Sequence, residues 1–226
     1  VQSLGLGDTL VKLYGRWDKA SDIDWDRLPN QFVLKVNNGC GDILICRDKD
    51  KLDKATVIDT YDRLVSIKYG DVTGEPHYAR IQPCVIAEEL LDINKQSINT
   101  SSLIDYKVWC LNGKPYCIWC AWNRGKEGAD TGVYDLDWNY HPEWSVFTEH
   151  YRQGKEILPK PKCFERMLEV ASKLSEEFPI LRVDLYEVNE KIYFGELTFT
   201  SLGGFMDYLT SEVLLDMGSK VRINEI

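Results

Sequence analysis

Two runs near the end of the chain, residues 180–186 and 191–200, alternate apolar with polar side chains around an Asn189-Glu190 turn. This pair constrains the fold more than any other feature. Successive strand side chains point to opposite faces, so Arg182 and Asp184 share one face while Leu181, Val183 and Leu185 take the other. In the second run Glu196 and Thr198 share a face, opposite Leu197 and Phe199. If the hairpin closes at Asn189-Glu190, Asp184 and Glu196 come close enough to face one ion. Neighbouring carboxylates repel unless a cation sits between them, and hard oxygen ligands suit magnesium, which fills its shell with water and phosphate oxygens. Arg182 would then reach a terminal phosphate as charge develops on it. Read in isolation, the commoner case is a surface hairpin with an Arg–Glu pair on its solvent face, which carries no function.

Further elements follow from pattern. Residues 32–36 read as a strand containing Lys35, followed by a loop at 37–42 and a returning strand at 43–46. A cation there, with Gly39 and Gly41 letting backbone N–H groups turn toward a ligand, can hold phosphate oxygens. The loop is no P-loop, because a strand and no Gly-Lys-Ser/Thr follows. An edge-strand lysine before a turn is the functionless alternative. Helical spacing marks 53–68, and 161–178 carries one apolar face through Phe164, Met167, Leu168, Ala171, Leu174 and Phe178. Strands at 84–87, 105–111 and 115–122, the last two joined at Asn112-Gly113, leave 92–102 as a polar loop and 134–151 as an aromatic, irregular stretch. Lys107 shares a strand face with Asp105, and Arg124 ends the following strand. Each alone reads most simply as a solvated charge. Strands mixed with few helices argue an α+β fold over a doubly wound parallel sheet.

Composition narrows the partners. The net charge of −9, with Lys and Arg scattered, opposes a polyanion, so nucleic acid is excluded as an expected partner. No apolar run approaches a membrane span and no signal peptide is visible. Seven cysteines, mostly within apolar runs, fit reduced thiols and a cytoplasmic location. Cys117 and Cys120 form a C-x-x-C inside an apolar strand and read as two buried small hydrophobes rather than a metal or redox pair. The chain starts at Val1, which points to a native N-terminus that is partly missing.

The order of these pieces resembles the ATP-grasp fold, and more narrowly the TupA-like ATP-grasp family of polysaccharide biosynthesis. The matching segments are 28–35 with 37–41, 86–91, 105–114, 167–174, 182–186 and 193–200, spread over about 17–218. The resemblance implies two α+β lobes, 1–87 and 88–226, with mainly antiparallel sheets, clasping ATP. It implies that Lys35 touches the α- and β-phosphates under a loop including Asn38, Gly39 and Gly41. Glu88, Glu89, Leu90 and Leu91 would form the hinge that meets adenine, and Asp105 would hold the ribose. Lys107 and Arg124 would meet phosphates, Arg182 the γ-phosphate or an acylphosphate, and Asp184 and Glu196 magnesium. Where relatives carry Asn this chain has Thr198, whose hydroxyl is a weaker ligand than an amide oxygen.

The implied function is an ATP- and magnesium-dependent carboxylate–amine ligase working through an acylphosphate. Its acceptor would be a uronic acid or glutamyl carboxylate of a capsular or cell-surface polysaccharide precursor, and its amine an amino acid or amino alcohol. A homodimer stays open. The alternatives are a glycosyltransferase using Asp135 and Asp137 as a D-x-D pair, or a kinase or non-catalytic nucleotide-binding module on the same fold.

Overall fold

The computed structural model describes residues 1–39, 41–70 and 74–223. Its chain divides into two compact units, Val11–Leu91 and a larger one built from Val1–Leu10 and the chain from Asp92 onward. Each has its own apolar core.

The smaller unit is a four-stranded sheet in the order β1-β4-β2-β3, from β1 (Leu13–Trp17), β2 (Phe32–Val36), β3 (Ile43–Cys46) and β4 (Val85–Glu88). All its pairings are antiparallel. Strict alternation in β2 buries Phe32, Leu34 and Val36 against α1 (Lys54–Val65) and leaves Lys35 on the other face. Helix α1 starts where the Asp53 carboxylate accepts from the Thr56 backbone N–H at 3.2 Å, and its Val57, Tyr61 and Leu64 form the buried stripe.

The larger unit carries a six-stranded sheet in the order β10-β9-β5-β6-β7-β8. Its strands are β5 (Asp105–Leu111), β6 (Lys114–Gly125), β7 (Gly128–Tyr134), β8 (Tyr151–Gln153), β9 (Ile180–Val188) and β10 (Lys191–Thr198). Among the described residues only the β7–β8 pairing is parallel. On one face α2 (Phe164–Ser175) packs Phe164, Met167, Val170, Ala171 and Leu174 against Tyr106, Val108, Ile118, Val183 and Leu185. On the other face, Trp109, Leu111 and Trp119 meet Tyr208 and the Val213 and Met217 side chains of α3 (Ser211–Lys220). Every residue of β5 is buried, so polar residues at its start share a face with a core.

The α+β class is the one the pattern implied, and the mainly antiparallel sheets are those the resemblance implied. Four elements were not legible. β7 reads Gly-Ala-Asp-Thr-Gly and lacks a strand composition, β8 is short, β1 holds Gly15 and Arg16, and α3 has no clear apolar stripe. The expected C-x-x-C resolves into separate roles: Cys117 lies in the core on the α3 side and Cys120 in the core on the α2 side. The six described cysteines are free thiols. Among the described residues, no helix is long and apolar enough to cross a membrane.

Candidate active site

The hairpin β9–β10 closes through Asn189 and Glu190, both left-handed (φ 55° and 58°), as a two-residue turn of the kind that matches strand twist. An uninterrupted ladder from this turn would place Gly195 opposite Asp184. The register instead shifts between Phe194 and Glu196, so Phe194 faces Leu185 and Glu196 faces Asp184. This bulge at Gly195 turns Glu196 from the α2 core onto the charged face. Glycine relieves crowding there, since a Cβ would lie 3.0 Å from the Asp184 carbonyl oxygen and 3.0 Å from the Tyr186 ring.

Strand β5 lies on the other side of β9 with Lys107 opposite Asp184. Six charged side chains thereby converge. The Lys107 ammonium contacts Asp105 Oδ2 at 2.7 Å and also Asp184 Oδ2. Arg182 donates from Nε to Asp184 Oδ1 at 2.7 Å, from Nη2 to Asp184 Oδ2 at 2.8 Å, and from Nη2 to Glu196 at 3.1 Å. Arg124 donates to Asp105 Oδ2 at 3.2 Å. Thr198 donates its hydroxyl to Glu196 at 3.1 Å. Asp184 is 1% exposed, whereas the Glu196 side chain is 57% exposed.

Electrostatics follow from this packing. Burial by itself would push the Asp184 carboxyl up; Arg182 and Lys107 overcome it and hold the group well below the ordinary carboxylate range. Lys107 and Arg182 show the converse. Desolvation opposes their charge, and the neighbouring carboxylates more than restore it, so both are raised. Glu196 is pushed up by desolvation first and Asp184 second, although its exposure screens part of that effect. Its carboxylate gains from an added cation. Asp105 Oδ1 is buried without a hydrogen-bond partner. The hard oxygens of Asp184, Glu196 and Thr198, with guanidinium and ammonium groups beside them, fit magnesium and a polyphosphate by their chemistry. Among the described residues no cluster of three His, Cys, Asp or Glu stands ready to hold a metal, and cations of the chain occupy Asp184.

Neighbours absent from the sequence reading complete the site. Arg182 Nη1 donates to the Ser201 hydroxyl at 2.9 Å, which lies 2.9 Å from the Tyr208 hydroxyl. The Trp109 ring centroid is 6.0 Å from the guanidinium carbon. Tyr186 shares the Asp184 face, and its hydroxyl is pushed far up, by the Asp105 carboxylate first and burial next. Strand alternation could have found Tyr186, two residues beyond Asp184. Ser201 and Tyr208 come from outside any regular pattern.

In the smaller unit, Lys35 pairs with Glu88 Oε2 at 2.6 Å, so Glu88 offers a bound carboxylate as well as backbone. The Glu89 N–H donates to the Lys12 carbonyl, Leu90 is half-buried and Leu91 is buried. Asn38 donates Nδ2 to the Ile67 carbonyl at 3.1 Å while its buried Oδ1 has no partner. Gly39 follows it, Gly41 takes φ 87°, and Cys40 of this loop lies outside the described residues. The D-x-D alternative loses its first carboxylate to structure. Asp135 accepts from the Asp137 and Asn139 backbone, the Asn139 amide and the His141 ring.

Solved structures that match include a D-alanine–D-alanine ligase from Bacillus anthracis, at 14% identity and a TM-score of 0.52, covering 96% of this chain and 60% of that one. The same enzyme complexed with ATP matches at 14% and 0.46, covering 87% and 50%. The ATP-grasp ligase PsnB, complexed with a phosphomimetic precursor variant, magnesium and ADP, matches at 12% and 0.47, covering 97% and 57%. At such identities the first of these shows a shared fold, and the chain spans between 50% and 60% of the length of these structures. A search of curated proteins gave no significant match. The family model for TupA-like ATP-grasp proteins covers residues 6–222. The chain belongs to the TupA-like ATP-grasp family.

Proposed function

We propose that this chain carries the nucleotide and magnesium site of an ATP-dependent carboxylate–amine ligase. The observation that supports it most is the Lys107–Asp184–Arg182–Glu196 cluster, set on three adjacent strands by the Gly195 bulge. In this reading a carboxylate takes the γ-phosphoryl group of ATP, an amine displaces the phosphate, and an amide, ADP and phosphate result. Positioning and charge neutralisation carry such a reaction. Bound magnesium would supply neutralisation of phosphate charge, with Asp184 and Glu196 holding it and the Thr198 hydroxyl steadying Glu196. Arg182, fixed in its plane by Asp184 and Ser201, keeps one Nη1 hydrogen for a phosphoryl oxygen. Arg124, with a side chain 55% exposed, can swing to phosphate. Lys35, with Asn38, Gly39 and Gly41, would serve the other phosphates, residues 88–91 the adenine and Asp105 the ribose. A uronic or glutamyl carboxylate of a surface polysaccharide precursor, an amino acid or amino alcohol as amine, and a cytoplasmic setting complete the proposal.

The decisive test uses Glu196→Gln, because this exposed carboxylate can be neutralised at small cost to folding. The wild-type chain is expected to release ADP only when a uronic acid and an amine are both supplied, and Glu196→Gln to lose magnesium-dependent ATP binding. Unchanged ATP binding in that variant sinks the metal assignment. ADP release with the acid alone, leaving a phosphorylated acceptor, replaces the ligase by a kinase.

A further inference from the structure

The cluster around Asp184 is charge-balanced before any ligand arrives. Three carboxylates, Asp105, Asp184 and Glu196, meet three cations, Lys107, Arg124 and Arg182. Both Asp184 oxygens are taken, Oδ1 by Arg182 and Oδ2 by Arg182 and Lys107. Three of the four lone-pair positions of Asp184 are thereby used, so a metal ion approaching the remaining one on Oδ1 meets two cations already bound to the same carboxylate. One of the two cations must give way, and their surroundings decide which. Arg182 is locked by Ser201, Glu196 and the Trp109 ring. Lys107 has a compact ammonium on a flexible stem, and a second acceptor within reach: Asp105, whose Oδ1 is buried and unpartnered. That orphaned oxygen costs free energy in this state, and a hydrogen bond from the Lys107 ammonium would relieve it.

We propose that Lys107 is a built-in stand-in for the metal, so that a divalent ion enters Asp184 only together with nucleotide phosphates, as the ammonium moves fully onto Asp105. The electrostatics require the coupling. Two extra positive charges beside the buried Asp184 are repelled by the likewise buried Lys107 and Arg182, whereas polyphosphate oxygens arriving with the ion restore the balance. The site therefore refuses free metal and accepts the metal–nucleotide pair. This inference rests on the magnesium–nucleotide reading above.

Manganese serves as the probe, its binding read by the loss of the free-ion signal in electron paramagnetic resonance, with folding checked by circular dichroism. Wild-type protein is expected to bind manganese weakly alone and far more tightly with saturating ADP. Lys107→Met removes the stand-in, so it should bind manganese alone at least about tenfold more tightly than wild type, a modest share of the interaction between charges this close. Equal or weaker binding by folded Lys107→Met overturns the proposal. If that variant does not fold, Asp105→Asn decides. With its receiving carboxylate neutralised, Lys107 stays on Asp184, and manganese binding at saturating ADP should fall about tenfold; wild-type affinity there overturns the proposal. Should wild type ignore manganese even with ADP while Lys107→Met binds it alone, the stand-in role holds and the magnesium–nucleotide reading falls.

Discussion

Asp184 shows how much a single buried charge can be asked to do. Its carboxylate sits 1% exposed between two cations, so removing it leaves Lys107 and Arg182 buried without their main counter-charge. Asp184→Ala should therefore cost about 3–5 kcal/mol of folding stability, measured by urea unfolding. The same group sets an acid limit. Its pKa is depressed on folding from about 3.9 in the unfolded chain, so its stabilisation is full above that value and drains away as pH falls toward the folded pKa. Melting temperature should drop progressively below about pH 5, and less steeply in Asp184→Asn; parallel slopes would show that other carboxylates govern acid unfolding. The charges were legible in the sequence as residue types and faces. Their pairing was not, because Lys107 lies 77 positions from Asp184 and alternation says nothing about which strand lies beside which.

The strand pair β9–β10 makes the same point one level up. Its turn and its two faces follow from local pattern, yet the register depends on the one-residue bulge at Gly195. Gly195→Ala is expected to crowd the Asp184 carbonyl and the Tyr186 ring and to cost about 1–3 kcal/mol. It should also slow ADP release roughly tenfold to a hundredfold by shifting Glu196 off Asp184. A variant that keeps wild-type ADP release would show that the bulge does not aim Glu196. Nothing in the sequence flagged Gly195, since a glycine in a strand marks a bulge or a close approach without saying which. Helix α2, by contrast, was plain from its stripe.

For the whole molecule, one core supports the smaller unit and two, on opposite faces of its sheet, support the larger, which the chain enters twice. Leu6 is 1% exposed within the core built by α2, β5 and β9. Leu6→Ala should cost about 2–5 kcal/mol and lower hydrogen-exchange protection in β5 and β9. Loss of protection in β2 and β4 instead would assign the N-terminal segment to the smaller unit. Expecting residues 1–87 as one lobe was the natural reading of a continuous chain, since a short 3-10 segment such as Gly7–Thr9 carries no sign of where it docks. The sequence by itself determined the α+β class, the strands β2 to β6, β9 and β10 with their faces, the turn at Asn189-Glu190 and the carboxylates available for a metal, because each follows from neighbours within a few residues. Only the tertiary structure decided that Glu196 stands opposite Asp184, that Lys107 and Arg182 already occupy that carboxylate, and that Ser201 and Tyr208 brace Arg182. Those depend on a bulge, on strand order and on burial, which arise from contacts between residues far apart in the chain.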